Sequence, residues 1–179
     1  MYETIFTNTK DYGNTFLKEF TSKLDSSNDL IIASGYIGAT TIEDLENKMV
    51  SLSKKGNCKI LIGMIFHGGV TAKQKKVLAS LDDKLRVINP DNGVYISMQQ
   101  YHGKIYKFMN EDTSYLYLGS SNFSKEGFAS RLECTTIIKD NQTKTEVALY
   151  LEHLFSLKTT VPLKKAELRV NGKKKIILK

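Results

Sequence analysis

The chain has 179 residues, of which 41% are apolar and 25% charged, with a formal net charge of +7. That length suits one domain with a full hydrophobic core, and the balance is that of an ordinary globular protein, not of a disordered or fibrous one. Apolar stretches reach only about eight to ten residues with polar interruptions, too short to span a bilayer. The start Met1-Tyr2-Glu3-Thr4-Ile5 lacks the basic and apolar regions of a secretory signal, so a cytoplasmic protein with no membrane partner is expected.

In chain order, residues 2–6 read as a short edge strand. Residues 11–24 carry Tyr12, Phe16, Leu17, Phe20 and Leu24 at helical spacing, with Asp11 as N-cap. Residues 30–34 read as a buried strand. Residues 40–54 form a helix with Ile42, Leu45, Met49 and Leu52 on one face, ended by Gly56. A buried strand over 59–65, a helix over 71–81 and a strand over 85–88 follow. Pro90-Asp91-Asn92-Gly93 is a turn or a flexible loop. Strands over 101–108 and 114–118 make an antiparallel hairpin. A strand over 132–138 and a helix over 143–157 close the body. Residues 166–170 and 174–178 flank Asn171-Gly172, a hairpin turn signal.

Alternating strands and helices predict an α/β fold, a sheet with helices on its faces. Residues 1–160 form the domain; 161–179 form a basic tail or hairpin, or a linker to a separate recognition domain. Cys58 and Cys134 fall in predicted core strands and are read as buried, reduced thiols. Charge is uneven. Residues 164–179 hold seven basic side chains against Glu167, so +6 of the +7 lies there. Such a tail suits phosphate contacts on nucleic acid, and equally a solvated terminus.

Chemistry concentrates between 101 and 133. His102 and Lys104 share one face of the predicted strand, because side chains alternate. An imidazole can attack phosphorus, and an ammonium can hold the oxygens on which charge gathers. The expected substrate class is a phosphodiester, no cofactor is expected, and the sequence shows no metal-ligand cluster nearby. Gly119-Ser120-Ser121-Asn122 breaks the next strand into a turn that hairpin pairing returns to His102. Ser120 and Asn122 then add a hydroxyl and an amide for phosphate oxygens. Glu133, at the start of the following strand, supplies a carboxylate able to fix an imidazole tautomer. His67 and His153 are read as structural, Arg131 as a surface residue that could reach phosphate, and Tyr36 and Tyr101 as borders of the cleft.

His102-Gly103-Lys104 followed by Gly119-Ser120-Ser121-Asn122 resembles the phospholipase D superfamily, whose signature is His-x-Lys, four residues, Asp, then Gly-Ser-x-Asn. The signature aspartate falls at Met109, a departure that points away from the lipid enzymes and toward the nuclease branch. Segments 101–106, 117–124 and 132–133 are similar to the catalytic domain of BfiI-type (NgoFVII-family) metal-independent restriction endonucleases. The resemblance implies a phospholipase D-like mixed sheet and a DNA substrate. It also implies two His-x-Lys motifs per site. This chain has one, so it implies a homodimer with the site at its interface. One His102 would form a phosphohistidine and the other would act as general acid and base. Lys104, Asn122 and Ser120 would stabilise charge, and Glu133 would orient the nucleophile. A phospholipase or phosphatidyltransferase, and a catalytically silent nucleic-acid-binding dimerisation module, are the competing readings.

Overall fold

A computed structural model describes residues 4–8, 15–111 and 113–171. Its spine is an eight-stranded mixed sheet in the order β1-β7-β6-β5-β2-β3-β4-β8. β2 (Asp29–Ser34), β3 (Cys58–Ile62) and β4 (Gly93–Ser97) run parallel. β5 (Lys104–Asn110) runs antiparallel to β2 and forms a hairpin with β6 (Thr113–Gly119), against which β7 (Cys134–Ile138) pairs antiparallel. β1 (Ile5–Thr7) and β8 (Thr160–Pro162) are the edges.

Helices cover both faces, as the sequence predicts. On one face α1 (Phe16–Ser26), α2 (Ala39–Ser53) and α4 (Ala72–Ile88) bury Phe16, Phe20, Met49, Leu81 and Leu85 against Ile32, Ile60 and Tyr106. On the other, Leu151 and Leu154 of α5 (Asn141–Ser156) pack on Ala33, Leu61 and Ile105. β2 and β3 are thus covered on both sides, which is why they read as unbroken apolar runs. Helix starts are set locally. Thr15 Oγ1 accepts from the Lys18 amide, Thr71 and Gln74 form a reciprocal capping box, and Asp140 accepts from the Thr143 amide. The expected cap Asp11 and the second arm of the 166–178 hairpin lie outside the described residues.

Several boundaries move. The strand expected over 85–88 is the last turn of α4, because Leu78, Leu81 and Leu85 continue one buried helical stripe; Val87 is exposed. The missing strand is β4, directly after the Pro90–Gly93 turn. Residues 160–165, within the expected linker and tail, add β8 and a single 3₁₀ turn over Leu163–Lys165, and Leu168 is buried in the core. β3 ends at Ile62, and Ile65–Gly68 is a one-turn helix, α3. Cys58 is buried, and burial pushes its thiol up to about 12. Cys134 corrects the expectation. It opens β7 at the end of the sheet and is exposed.

Candidate active site

Antiparallel pairing brings four strand termini to one end of the sheet. Ser34 ends β2 opposite Lys104, which opens β5; Gly119 ends β6 opposite Thr135, next to Cys134, which opens β7. His102 precedes β5 instead of lying within it. It is exposed, and its segment is held by the Gly35 amide donating to the Gly103 carbonyl at 3.1 Å and the Tyr101 amide donating to Gly63 at 3.2 Å. Glycine is required at 63, where a Cβ would overlap the Tyr101 carbonyl. At Gly35 a Cβ would come 3.1 Å from the His102 ring.

Lys104 is buried, 6% exposed, and its ammonium bends back to donate to the His102 carbonyl. The same Nζ lies 3.2 Å from both His102 ring nitrogens. An in-plane approach equidistant from the two would collide with the carbon between them, so the ammonium rests over the ring face. Burial holds the Lys104 ammonium below the ordinary lysine value, and the charge of Glu133 partly opposes this. His102 and Lys104 therefore meet, by back-folding of the lysine instead of by strand alternation.

Asn122 Oδ1 accepts from the Tyr36 amide at 3.2 Å. A backbone N–H can only donate, so the contact fixes the amide and leaves Nδ2 as its donor end. The Tyr36 ring stands edge-on to His102, centroids 5.8 Å apart, so Tyr36 borders the site. Ser120 differs from expectation. Its hydroxyl accepts from the Cys134 amide at 3.0 Å, and its own amide donates to the Cys134 carbonyl at 2.9 Å. It clamps β6 to β7. Glu133 makes no hydrogen bond to His102 within the chain; its field acts on Lys104 and on the buried Tyr106.

The remaining candidates separate. His67 Nε2 donates to the Met98 carbonyl at 2.8 Å. His153 sits on α5, in a groove with Gln99, Gln100, Tyr101 and Tyr150. Arg131 is exposed, and its carbonyl accepts from Asn8. Tyr101 is nearly buried, packs over Gly103, and burial raises its phenol well above the ordinary range. Met109 pairs with Asp29 and Ser114 at the far end of β5, five positions from Lys104 and hence roughly 17 Å along the strand. The position where the signature has Asp is remote from His102, Lys104 and Asn122.

Sequence spacing gave no sign of the polar layer under the site. Ser34 Oγ donates to the Tyr36 carbonyl at 2.7 Å and accepts from the Phe123 amide at 3.1 Å. The Tyr106 hydroxyl donates to the Ser121 carbonyl at 2.6 Å, and Thr135 Oγ1 donates to Ser121 Oγ at 2.8 Å. A turn of π-helix, Glu126–Ser130, packs Gly127 against the Asn122 backbone.

The sequence model of the NgoFVII restriction endonuclease N-terminal PLD domain matches residues 14–168. The chain belongs to this family. Its phospholipase D fold is shared with solved structures. NucT from Helicobacter pylori superposes with a TM-score of 0.64 at 18% identity, over 88% of this chain and 96% of NucT. Nuc from Salmonella typhimurium, a phospholipase D family member, gives 0.58 at 17%, over 84% and 90%. A polyphosphate kinase from Porphyromonas gingivalis gives 0.61 at 11%, over 89% of this chain but only 24% of the kinase. Curated protein sequences contain no match. Among the described residues no helix is long and apolar enough to cross a membrane.

Proposed function

We propose that this chain is the catalytic domain of a restriction endonuclease that hydrolyses DNA phosphodiesters without a metal ion, in a two-fold dimer whose halves share one site. The observation that carries the reading is Lys104. In a chain of the NgoFVII PLD family, a buried ammonium lies against an exposed imidazole with no ion-paired carboxylate among the described residues. That is a receptor for an anion next to a nucleophile.

In the proposed reaction a ring nitrogen of one His102 attacks phosphorus. A P–N bond forms as the P–O bond to the leaving nucleoside breaks, and the second His102 donates a proton to that oxygen. The second His102 then takes a proton from water, which attacks phosphorus, breaks the P–N bond and releases the phosphomonoester. Lys104 and the Asn122 Nδ2 donor face the negative charge of the five-coordinate state. Ser120 acts through its grip on the Cys134 backbone, and Glu133 through its field at Lys104 and, across the dimer, as the orienting carboxylate for His102. The chain holds a single His-x-Lys, since His67 and His153 precede Gly69 and Phe155 at the second position. Complementing it takes a second copy.

The test is cleavage of plasmid DNA in excess EDTA. Wild type should cut, and His102→Ala should lose at least on the order of 10⁴-fold in rate while keeping its dimer in sedimentation. Loss of cutting on chelation defeats the metal-free mechanism. A strict monomer at micromolar concentration defeats the shared site.

A further inference from the structure

We propose that Ser34, outside the family signature, is the positioning residue that holds Asn122 and His102 in one geometry. The inference rests on the hydrolytic reading for its kinetic consequence, but its structural basis is independent. Ser34 is the last residue of β2, 1% exposed, directly opposite Lys104 in the β2–β5 register. It has one proton and two lone pairs. The proton goes to the Tyr36 carbonyl at 2.7 Å, and a lone pair takes the Phe123 amide at 3.1 Å.

Those two partners belong to different loops, and each is next to a site residue. Tyr36 holds the Asn122 side chain through its amide and meets His102 with its ring. Phe123 follows Asn122 in the chain, and its carbonyl accepts from the Gly38 amide at 2.9 Å, so the two loops are laced on both sides of Ser34. Without the hydroxyl, a buried N–H loses its partner and the Tyr36 carbonyl loses its tie. The loops are then free to shift relative to each other, and with them the distance between the Asn122 donor and the His102 ring. Displacements of about 1 Å at such a site cost on the order of 100-fold in rate.

Ser53 provides the control. It is 3% exposed, lies far from the site on α2, and donates its hydroxyl to the Val50 carbonyl at 2.8 Å. Ser34→Ala should lower kcat on the order of 10- to 100-fold with KM within about threefold, and, because it strands a buried N–H, lower Tm by more than Ser53→Ala does while the protein stays folded at the assay temperature. A raised KM at unchanged kcat, or a loss of kcat that Ser53→Ala reproduces, would each overturn the proposal. A readout without DNA separates it from the nuclease reading. In ¹⁵N spectra the Asn122 side-chain amide and the Tyr36 amide should shift and broaden in Ser34→Ala and not in Ser53→Ala. If wild type cuts no DNA, the nuclease reading fails, and those resonances alone decide on Ser34. If they stay put, Ser34 positions nothing.

Discussion

Two charged side chains are buried among the described residues, Asp82 at one end of the sheet and Lys104 at the other, and their surroundings are opposite in kind. Asp82 Oδ1 accepts from Arg86 Nε at 2.9 Å, one turn along α4, and from the Val94 amide at 2.7 Å, so it locks α4 onto β4. Among the described residues Lys104 has only a backbone carbonyl and an imidazole face, with Glu133 felt at longer range. Burying a charge is costly unless a partner offsets it. At Asp82 the chain itself supplies an opposite charge and two donors at Oδ1, though Oδ2 is buried without a hydrogen-bond partner among the described residues, and the ion belongs to the fold. At Lys104 the chain supplies no opposite charge in contact among the described residues, and in the proposed function an arriving phosphate would supply it. On that proposal the contrast separates a structural charge from one set aside for a ligand.

The strongest way to break this contrast is to remove each charge. Lys104→Met should reduce DNA cleavage on the order of 10²- to 10³-fold and leave Tm unchanged or raised, since a buried charge is replaced by an apolar chain of similar length. Asp82→Ala should do the reverse. Stranding Arg86 and the Val94 amide costs about 3–5 kcal/mol, a Tm drop of roughly 6–20 °C, with cleavage per folded molecule within about twofold at low temperature. Calorimetry and initial rates on both variants check this. A Lys104→Met protein that loses stability as Asp82→Ala does would make Lys104 another structural ion.

The same contrast explains what was legible in the sequence. The α/β layers were readable because buried stripes such as Phe16, Phe20 and Leu24 repeat at helical spacing. The order His102, Lys104, Asn122, Glu133 was readable because hairpin pairing brings those positions to one end. β4 was not, since Gly93–Ser97 follows a turn signal and the apolar run Leu85–Ile88 competed for the strand. Long-range packing of α4 decided that. The polar layer of Ser34, Tyr106, Ser121 and Thr135 was hidden for a different reason. Apart from the Ser34–Tyr36 contact, its bonds join residues distant in sequence, and a hydroxyl at a strand end looks the same whether or not a loop amide reaches it. Ser120 was legible as a position and not as a geometry. Nothing in Gly-Ser-Ser-Asn tells that its hydroxyl faces the Cys134 amide.

A smaller effect sharpens the electrostatics. Burial lowers the Lys104 pKa from 10.5, and Glu133 opposes that shift. Lys104 should therefore lose its proton below pH 10.5, and Glu133→Gln should move that titration lower still. The sign for stability follows. With a lower pKa in the folded chain, the cost of the buried charge is fully present below that pKa and is relieved as pH rises toward 10.5. ¹³C-lysine titration reads both proteins directly. A Lys104 resonance that titrates at or above pH 10.5, or moves upward in Glu133→Gln, would show that neither burial nor Glu133 governs it.

A last pair of variants separates the two polar residues of the Gly-Ser-Ser-Asn turn. Asn122 presents an unengaged Nδ2 among the described residues, while Ser120 has its hydroxyl and amide on the Cys134 backbone. Asn122→Ala should therefore cost on the order of 100-fold in cleavage with little change in Tm, because the lost donor would act mainly on the transition state. Ser120→Ala leaves the Cys134 amide without its side-chain acceptor but keeps the Ser120 amide bond to the Cys134 carbonyl. The exposed site lets water take over part of that role, so the cost is about 0.5–1.5 kcal/mol of stability, with cleavage within about tenfold. If instead Ser120→Ala matches Asn122→Ala in lost rate at unchanged Tm, the hydroxyl must swing from Cys134 to the phosphate during the reaction. The β6–β7 clamp would then be a resting arrangement that substrate displaces.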